Sequence, residues 1–212
     1  MKKTLIVSLT ILAIVLSSGL TALAYTIEEI DINEIITENI SDTPSSWAIS
    51  YVDQAKTLSL VPGHLSINYT QTISRAEYCA LAVRLYEKIK GSEITERKTF
   101  VDTNDVNVEK MGALEVVTGV GNDRFAPDNL LTREQAAVVL ARLSEALGYP
   151  LPEKASSFAD NAQIASWSLI QVGQVQAAEI MSGIGNNMFS PKGSYSREQS
   201  IITMVRLYDM IK

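Results

Sequence analysis

The sequence predicts an all-α fold made of three helix-loop-helix repeats packed around a common core, and three observations predict it. A glycine-bearing loop recurs in one register, reading GVGNDRFAPDNLLTREQ from Gly119, GIGNNMFSPKGSYSREQ from Gly183 and, diverged, VPGHLSINYTQTISRAE from Val61. Twelve residues before Arg75, Arg133 and Arg197 stand Gly63, Gly121 and Gly185, and eight residues before them stand Ile67, Phe125 and Phe189. Each loop ends in a capping box, SRAE, TREQ or SREQ, which makes Ser74, Thr132 and Ser196 helix N-caps. Upstream of each loop an acidic turn leads into a short apolar-periodic segment.

Taken in order, residues 1–24 have a basic start, an apolar run and an Ala22-Leu23-Ala24 exit, the pattern of a secretory signal peptide. A retained N-terminal membrane helix is the alternative, since a span needs roughly 20 apolar residues. Residues 25–40 carry five acids and no base, and form either an exposed linker or an amphipathic helix docking through Ile27, Ile30, Ile35 and Ile36. The three units occupy residues 41–91, 99–148 and 157–212. The first helix of each is short, and Gly119 and Gly183 stand where its C-terminus needs a left-handed residue. The second helices are AEYCALAVRLYEKIK, EQAAVVLARLSEALG and EQSIITMVRLYDMIK, rich in helix formers, with Gly91 and Gly148 stopping the first two. One such pair cannot bury its own apolar face, so the three must share a core.

Composition narrows the chemistry. The chain has 212 residues, 46% of them hydrophobic, with one cysteine and one histidine, so disulfide frameworks and zinc knuckles are excluded. Neither a metal nor a cofactor is implied. Removing Lys2 and Lys3 with the leader leaves 16 basic residues against 24 acids, a net charge of −8, which disfavours nucleic acid. Cys79, between Tyr78 and Ala80 on an apolar helix, reads as a small buried hydrophobe. His64 has no evident partner.

Arg75, Arg133 and Arg197 are each the first residue inside a helix, where a cation opposes the helix dipole at a cost of about 0.3–1 kcal/mol. An anionic ligand would offset that cost, because helix N-termini present free N–H groups and arginine adds a planar fork suited to carboxylate. Pairing with an acid of the neighbouring unit is the alternative. Arg84, Arg142 and Arg206 recur nine residues later, toward the favourable end of the dipole, and read as packing residues.

The combination of Phe100 with Asp102, Phe158 with Asp160, Trp47-Ala48, Pro127, Pro191 and the three capping boxes resembles the S-layer homology domain, in three consecutive copies over residues 41–212. That resemblance implies a pseudo-threefold bundle of helices. It also implies non-covalent anchoring to the bacterial envelope through secondary cell-wall polysaccharide, often with pyruvate ketals on N-acetylmannosamine. Arg75, Arg133 and Arg197 would be the pyruvate-binding groups, with Gly63, Gly121 and Gly185 letting backbone approach the sugar. Turn geometry at positive φ is the equal alternative for the glycines. Trp47 and Trp167 offer a flat indole for stacking on a pyranose, or else interhelix core. Asp42, Asp102 and Asp160 serve as helix caps or as acceptors for sugar hydroxyls. The second copy has no Trp between Asp102 and Gly119, and the first replaces Phe-x-Pro with Ile67 and Tyr69, so three equivalent sites are not expected.

Two other functions compete with this one. A glycan-cleaving enzyme needs two carboxylates roughly 5–9.5 Å apart, and no acid stands outside the repeat or capping pattern. A protein-interaction or assembly module of the envelope, without glycan binding, remains the alternative. With no cargo domain left beyond the repeats, the chain reads as a free-standing wall coat, a competitor for wall sites, or a subunit holding its cargo non-covalently.

Overall fold

The structure is a computed structural model and describes residues 43–212. The signal peptide, the acidic lead-in at 25–40 and Asp42 lie outside the described residues. Six α-helices follow one another: α1 Ile49–Thr57, α2 Arg75–Lys90, α3 Val106–Ala113, α4 Arg133–Leu147, α5 Leu169–Ala177 and α6 Arg197–Ile211. The described residues hold no β-strand beyond isolated bridges. No described helix is long and apolar enough to cross a membrane.

Local signals set the long helices. Ser74, Thr132 and Ser196 each accept the N–H of the residue three positions on, and Glu77, Gln135 and Gln199 return a bond to the cap N–H, so all three capping boxes form. Gly91 and Gly148 close α2 and α4 in the left-handed conformation, at φ 69° and 92°.

The short helices end differently from expectation. The left-handed residues that follow them are Ser59, Glu115 and Glu179, several positions before Gly119 and Gly183. Those two glycines answer a steric demand instead. A Cβ on Gly119 would sit 2.6 Å from the Arg124 carbonyl oxygen, and one on Gly183 would sit 2.7 Å from that of Met188. The cap expectation for the recurring aspartates is also corrected. Asp105, not Asp102, caps α3, and Ser168 precedes α5, because Asp102 and Asp160 are drawn away to the loops described below.

Each short helix packs against the long helix of a different unit: α1 on α6, α3 on α2 and α5 on α4, while α2, α4 and α6 also meet one another. The junction residues close a ring. The N–H of Ile73 donates to the carbonyl of Tyr195 at 2.9 Å, that of Leu131 to Ile73 at 3.0 Å, and that of Tyr195 to Leu131 at 3.2 Å. Ile73, Leu131 and Tyr195 are buried, so water cannot compete for these bonds. Around the ring, one apolar core runs from Val52 and Leu81 through Leu140 to Val172 and Leu207.

Gly183→Ala should cost about 1–3 kcal/mol, because the added methyl meets backbone rather than a side chain that can turn away. Chemical denaturation measures it, and a loss within error of zero would show that the loop gives way.

Candidate functional site

The helix N-termini are where the chain was expected to hold an anion, and the structure occupies them with protein. The Arg75 and Ala76 N–H groups donate to the carbonyls of Asn129 and Pro127, those of Arg133 and Glu134 to Gly193 and Pro191, and those of Arg197 and Glu198 to Gln71 and Tyr69, all at 2.9–3.1 Å. The following N–H goes to the capping hydroxyl. The free N–H groups invoked for an anion are therefore used in joining one unit to the next.

The arginines follow the same path. Arg75 donates from Nε to the Phe125 carbonyl and from Nη2 to that of Thr118, both at 2.9 Å. Arg133 donates in the same way to Phe189 and Ser182, both at 2.7 Å. Each guanidinium also lies over a phenylalanine, Arg75 at 4.3 Å from the Phe125 ring centroid and Arg133 at 4.9 Å from that of Phe189. Burial lowers the pKa of both below the usual guanidinium value. Arg197 donates from Nη1 to Ile67 at 3.2 Å and from Nη2 to Glu77 at 2.5 Å. The alternative of pairing with an acid of another unit thus describes Arg197, whereas Arg75 and Arg133 bond to carbonyl oxygens.

Asp102 and Asp160 hold the loops that these arginines grip. Asp102 accepts the N–H groups of Phe125 and Ala126 at 2.7 and 2.9 Å, and Asp160 those of Phe189 and Ser190 at 2.8 and 2.7 Å. Ala126 and Ser190 are left-handed, φ 58° and 57°, a conformation that the paired carboxylate bonds sustain. The Phe125 amide, aided by Ala126 and Arg124, holds the Asp102 carboxyl below its usual range. Burial opposes ionisation of Asp160, but the Phe189 and Ser190 amides outweigh it, and its pKa is also lowered.

Trp47 and Trp167 are exposed, at 55% and 54%, so the interhelix-core reading does not hold for either. Trp47 borders a cleft of about 530 Å³ at the α1-α6 junction, together with Tyr51, Arg133, Ser182, Gly183, Ile184 and Arg206. Met181, Tyr195, Gln199, Ile202 and Thr203 form the rest of its wall, so two arginines and no acid line it. All three units contribute. Gly185 lies just beyond this wall, and Gly121 and Gly185 take φ 106° and 118°, the turn geometry open to glycine; Gly63 opens a 3-10 turn at Gly63–Leu65. Among the described residues no cluster of three or more His, Cys, Asp or Glu is placed to hold a metal ion.

The loops and helix starts around this cleft match a known family. The S-layer homology domain profile matches residues 107–137 and 157–199. Those two segments, in the second and third units, are similar to S-layer homology domains. Such domains are generally cell-wall anchoring modules without catalytic function, and they mark proteins of the cell surface. Similar proteins include an endoglucanase of Bacillus sp. (strain KSM-635), 27% identical over 163 residues, 74% of this chain and 17% of the relative. An amylopullulanase of Thermoanaerobacterium thermosulfurigenes is 25% identical over 77% of this chain and 9% of its own length. Exoglucanase XynX of Acetivibrio thermocellus is 25% identical over 76% and 15%. The chain thus spans at most about a sixth of the length of these relatives.

Two carboxylates missed in the sequence hold the backbone just before the two tryptophans. Glu198 accepts the Ser45 N–H at 2.9 Å and its hydroxyl at 2.8 Å, two residues before Trp47. Glu134 accepts the Ala165 N–H at 3.0 Å, two residues before Trp167, and the Ser168 hydroxyl at 3.2 Å. Lys192 pairs with Glu134 and lies 5.9 Å from the Trp167 ring. Both carboxylates are buried. The corresponding position of the first unit is Ala76, and the unit it faces has Thr103 where the others have Trp, five residues before a buried valine. That junction is tied instead by Lys110 to Glu87 and Glu93, at 2.7 and 2.9 Å. A glutamate after the arginine, present only where the facing unit has a tryptophan, was the available signal.

Glu198→Ala should lower stability by about 1–3 kcal/mol, because it removes the acceptor for the partly buried Ser45 N–H and hydroxyl. In a Trp167→Phe background it should also red-shift the Trp47 emission, and an unchanged spectrum would dissociate Glu198 from the indole. A carboxylate whose pKa is lower in the folded protein stabilises above its unfolded value and ceases to as pH falls through the folded value. The melting temperature should therefore drop as pH falls below the ordinary aspartate value of 3.8. Asp160→Asn should flatten that acid slope, and an unaltered slope would place its origin elsewhere.

Proposed function

We propose that the chain is an exported anchoring module that binds secondary cell-wall polysaccharide, with the cleft beside Trp47 receiving a negatively charged, pyruvylated sugar. The single observation that carries this reading is the lining of that cleft, two arginines and an exposed indole with no acid, in a protein of net charge −6. An acidic chain repels an anionic polymer at long range, and fields from distant charges are screened beyond roughly 8 Å, so attraction must be local. Arg133 spends Nε and Nη2 on the loop carbonyls, which fixes its remaining edge at the cleft without a rotamer search. Trp47 supplies a flat face for a pyranose, and Ser182 to Ile184 supply backbone and an apolar rim.

The first unit, residues 41–91, acts as a third copy in this reading, since the ring of hydrogen bonds passes through Ile73 as through Leu131 and Tyr195. Arg75 and Trp167 are the corresponding residues for a second groove at the α4-α5 junction. The α2-α3 junction, with Thr103 and an Arg197 already paired to Glu77, is the weakest candidate for a third.

The purified protein should sediment with cell-wall sacculi, and should not once the secondary polymer is stripped or its pyruvate removed. Trp47→Ala should weaken wall binding by about tenfold or more at unchanged melting temperature, as truncation of an aromatic anchor does. Equal retention on stripped walls would instead favour an envelope module that contacts protein.

A further inference from the structure

We propose that the glycan cleft continues into a second subsite, walled by Arg206, Glu179 and Asp209, which holds the uncharged sugars that follow the acidic one in the same polymer. The proposal rests on the glycan reading above and deepens it. A second cavity of about 710 Å³ adjoins the first, and the two share Tyr51, Met181, Ser182, Gly183 and Arg206. A wall common to both makes them one trough across the surface of α1 and α6.

The two halves differ in charge. The first is lined by Arg133 and Arg206 with no acid, whereas the second adds Glu179 and Asp209 to Arg206. Two carboxylates beside one guanidinium repel an anion but suit a ring of hydroxyls, since carboxylates accept and guanidinium donates. An acidic sugar therefore belongs beside Trp47, with neutral sugars running on past Arg206.

The second half is also held in place. The Arg206 guanidinium lies 5.4 Å from the Tyr51 ring centroid and donates from Nη1 to the Ile180 carbonyl at 3.3 Å, leaving its other donors uncommitted. Asp209 accepts both its bonds from Gln54 Nε2, at 2.8 and 3.1 Å, which orients the carboxylate across the junction. Glu179 is exposed and left-handed, at φ 57°, directly after α5. The set recurs in the second unit, where a cavity of about 480 Å³ is lined by Glu115, Thr118, Arg142 and Glu145 at the positions of Glu179, Ser182, Arg206 and Asp209. Arg142 and Arg206, which the sequence reads as packing residues, are thus the residues around which the subsite is built.

Calorimetric titration of the full chain with two probes tests this: pyruvylated N-acetylmannosamine alone, and a tetrasaccharide of the polymer bearing it at one end. The wild-type chain should bind the tetrasaccharide about tenfold more tightly, the gain of one or two hydrogen bonds. Glu179→Gln and the double variant Glu179→Gln/Asp209→Asn should bind the monosaccharide as the wild type does and lose most of that gain. Equal affinity of the wild type for both probes, or a length gain untouched in both variants, overturns the second subsite and leaves the anchoring reading standing. Binding of neither probe by the wild type overturns both. Glu179 is exposed and no core contact depends on it, so the single variant keeps its fold as the control.

Discussion

Everything in this fold depends on how three helix N-termini are satisfied. A helix leaves its first N–H groups without partners, and here each set is filled by carbonyls from the loop of the following unit, with the last unit returning to the first. The arginine at each start repeats the connection with its side chain. A cation that would be unfavourable at an isolated helix start is favourable here, because the carbonyl oxygens it meets outweigh the dipole it opposes. No unit is complete alone, since the acceptors for the first two N–H groups of its long helix lie in its neighbour.

That arrangement explains why the loops can be both irregular and well placed. Left-handed residues such as Ala126 and Ser190 cost energy, and they persist because Asp102 and Asp160 each take two consecutive N–H groups there. The Phe125 and Phe189 carbonyls beside them are then aimed at the arginines. The carbonyl of Ser182 sits at the cleft wall for the same reason, so Arg133 is at once a structural tie and part of the surface offered to a ligand.

The three junctions are not alike, and the difference is one of placement rather than stability. Glu198 and Glu134 fix the backbone just before Trp47 and Trp167, and the α2-α3 junction with Ala76 and Thr103 has neither the carboxylate nor the indole. It is held by a buried lysine between two glutamates, a tie that joins elements without presenting an aromatic face. Loss of the tryptophan and loss of its support coincide at the same junction, one in each of the two units that meet there.

The six helices, their capping boxes, the closing glycines Gly91 and Gly148 and the need for the three units to share a core are legible in the residue order, because these follow from interactions within a few residues and from apolar periodicity. The residue order also marked Arg133 and Trp47, separately, as candidate ligand residues. It could not give what each polar group does. Asp102 and Asp160 read as caps, Gly119 and Gly183 as left-handed stops, the arginine N–H groups as free and Arg206 as packing, since in each case the deciding partner lies in a loop or helix far along the chain. Only the tertiary structure decides such roles: a donor is used up or left for a ligand according to which acceptor the fold brings within 3 Å of it.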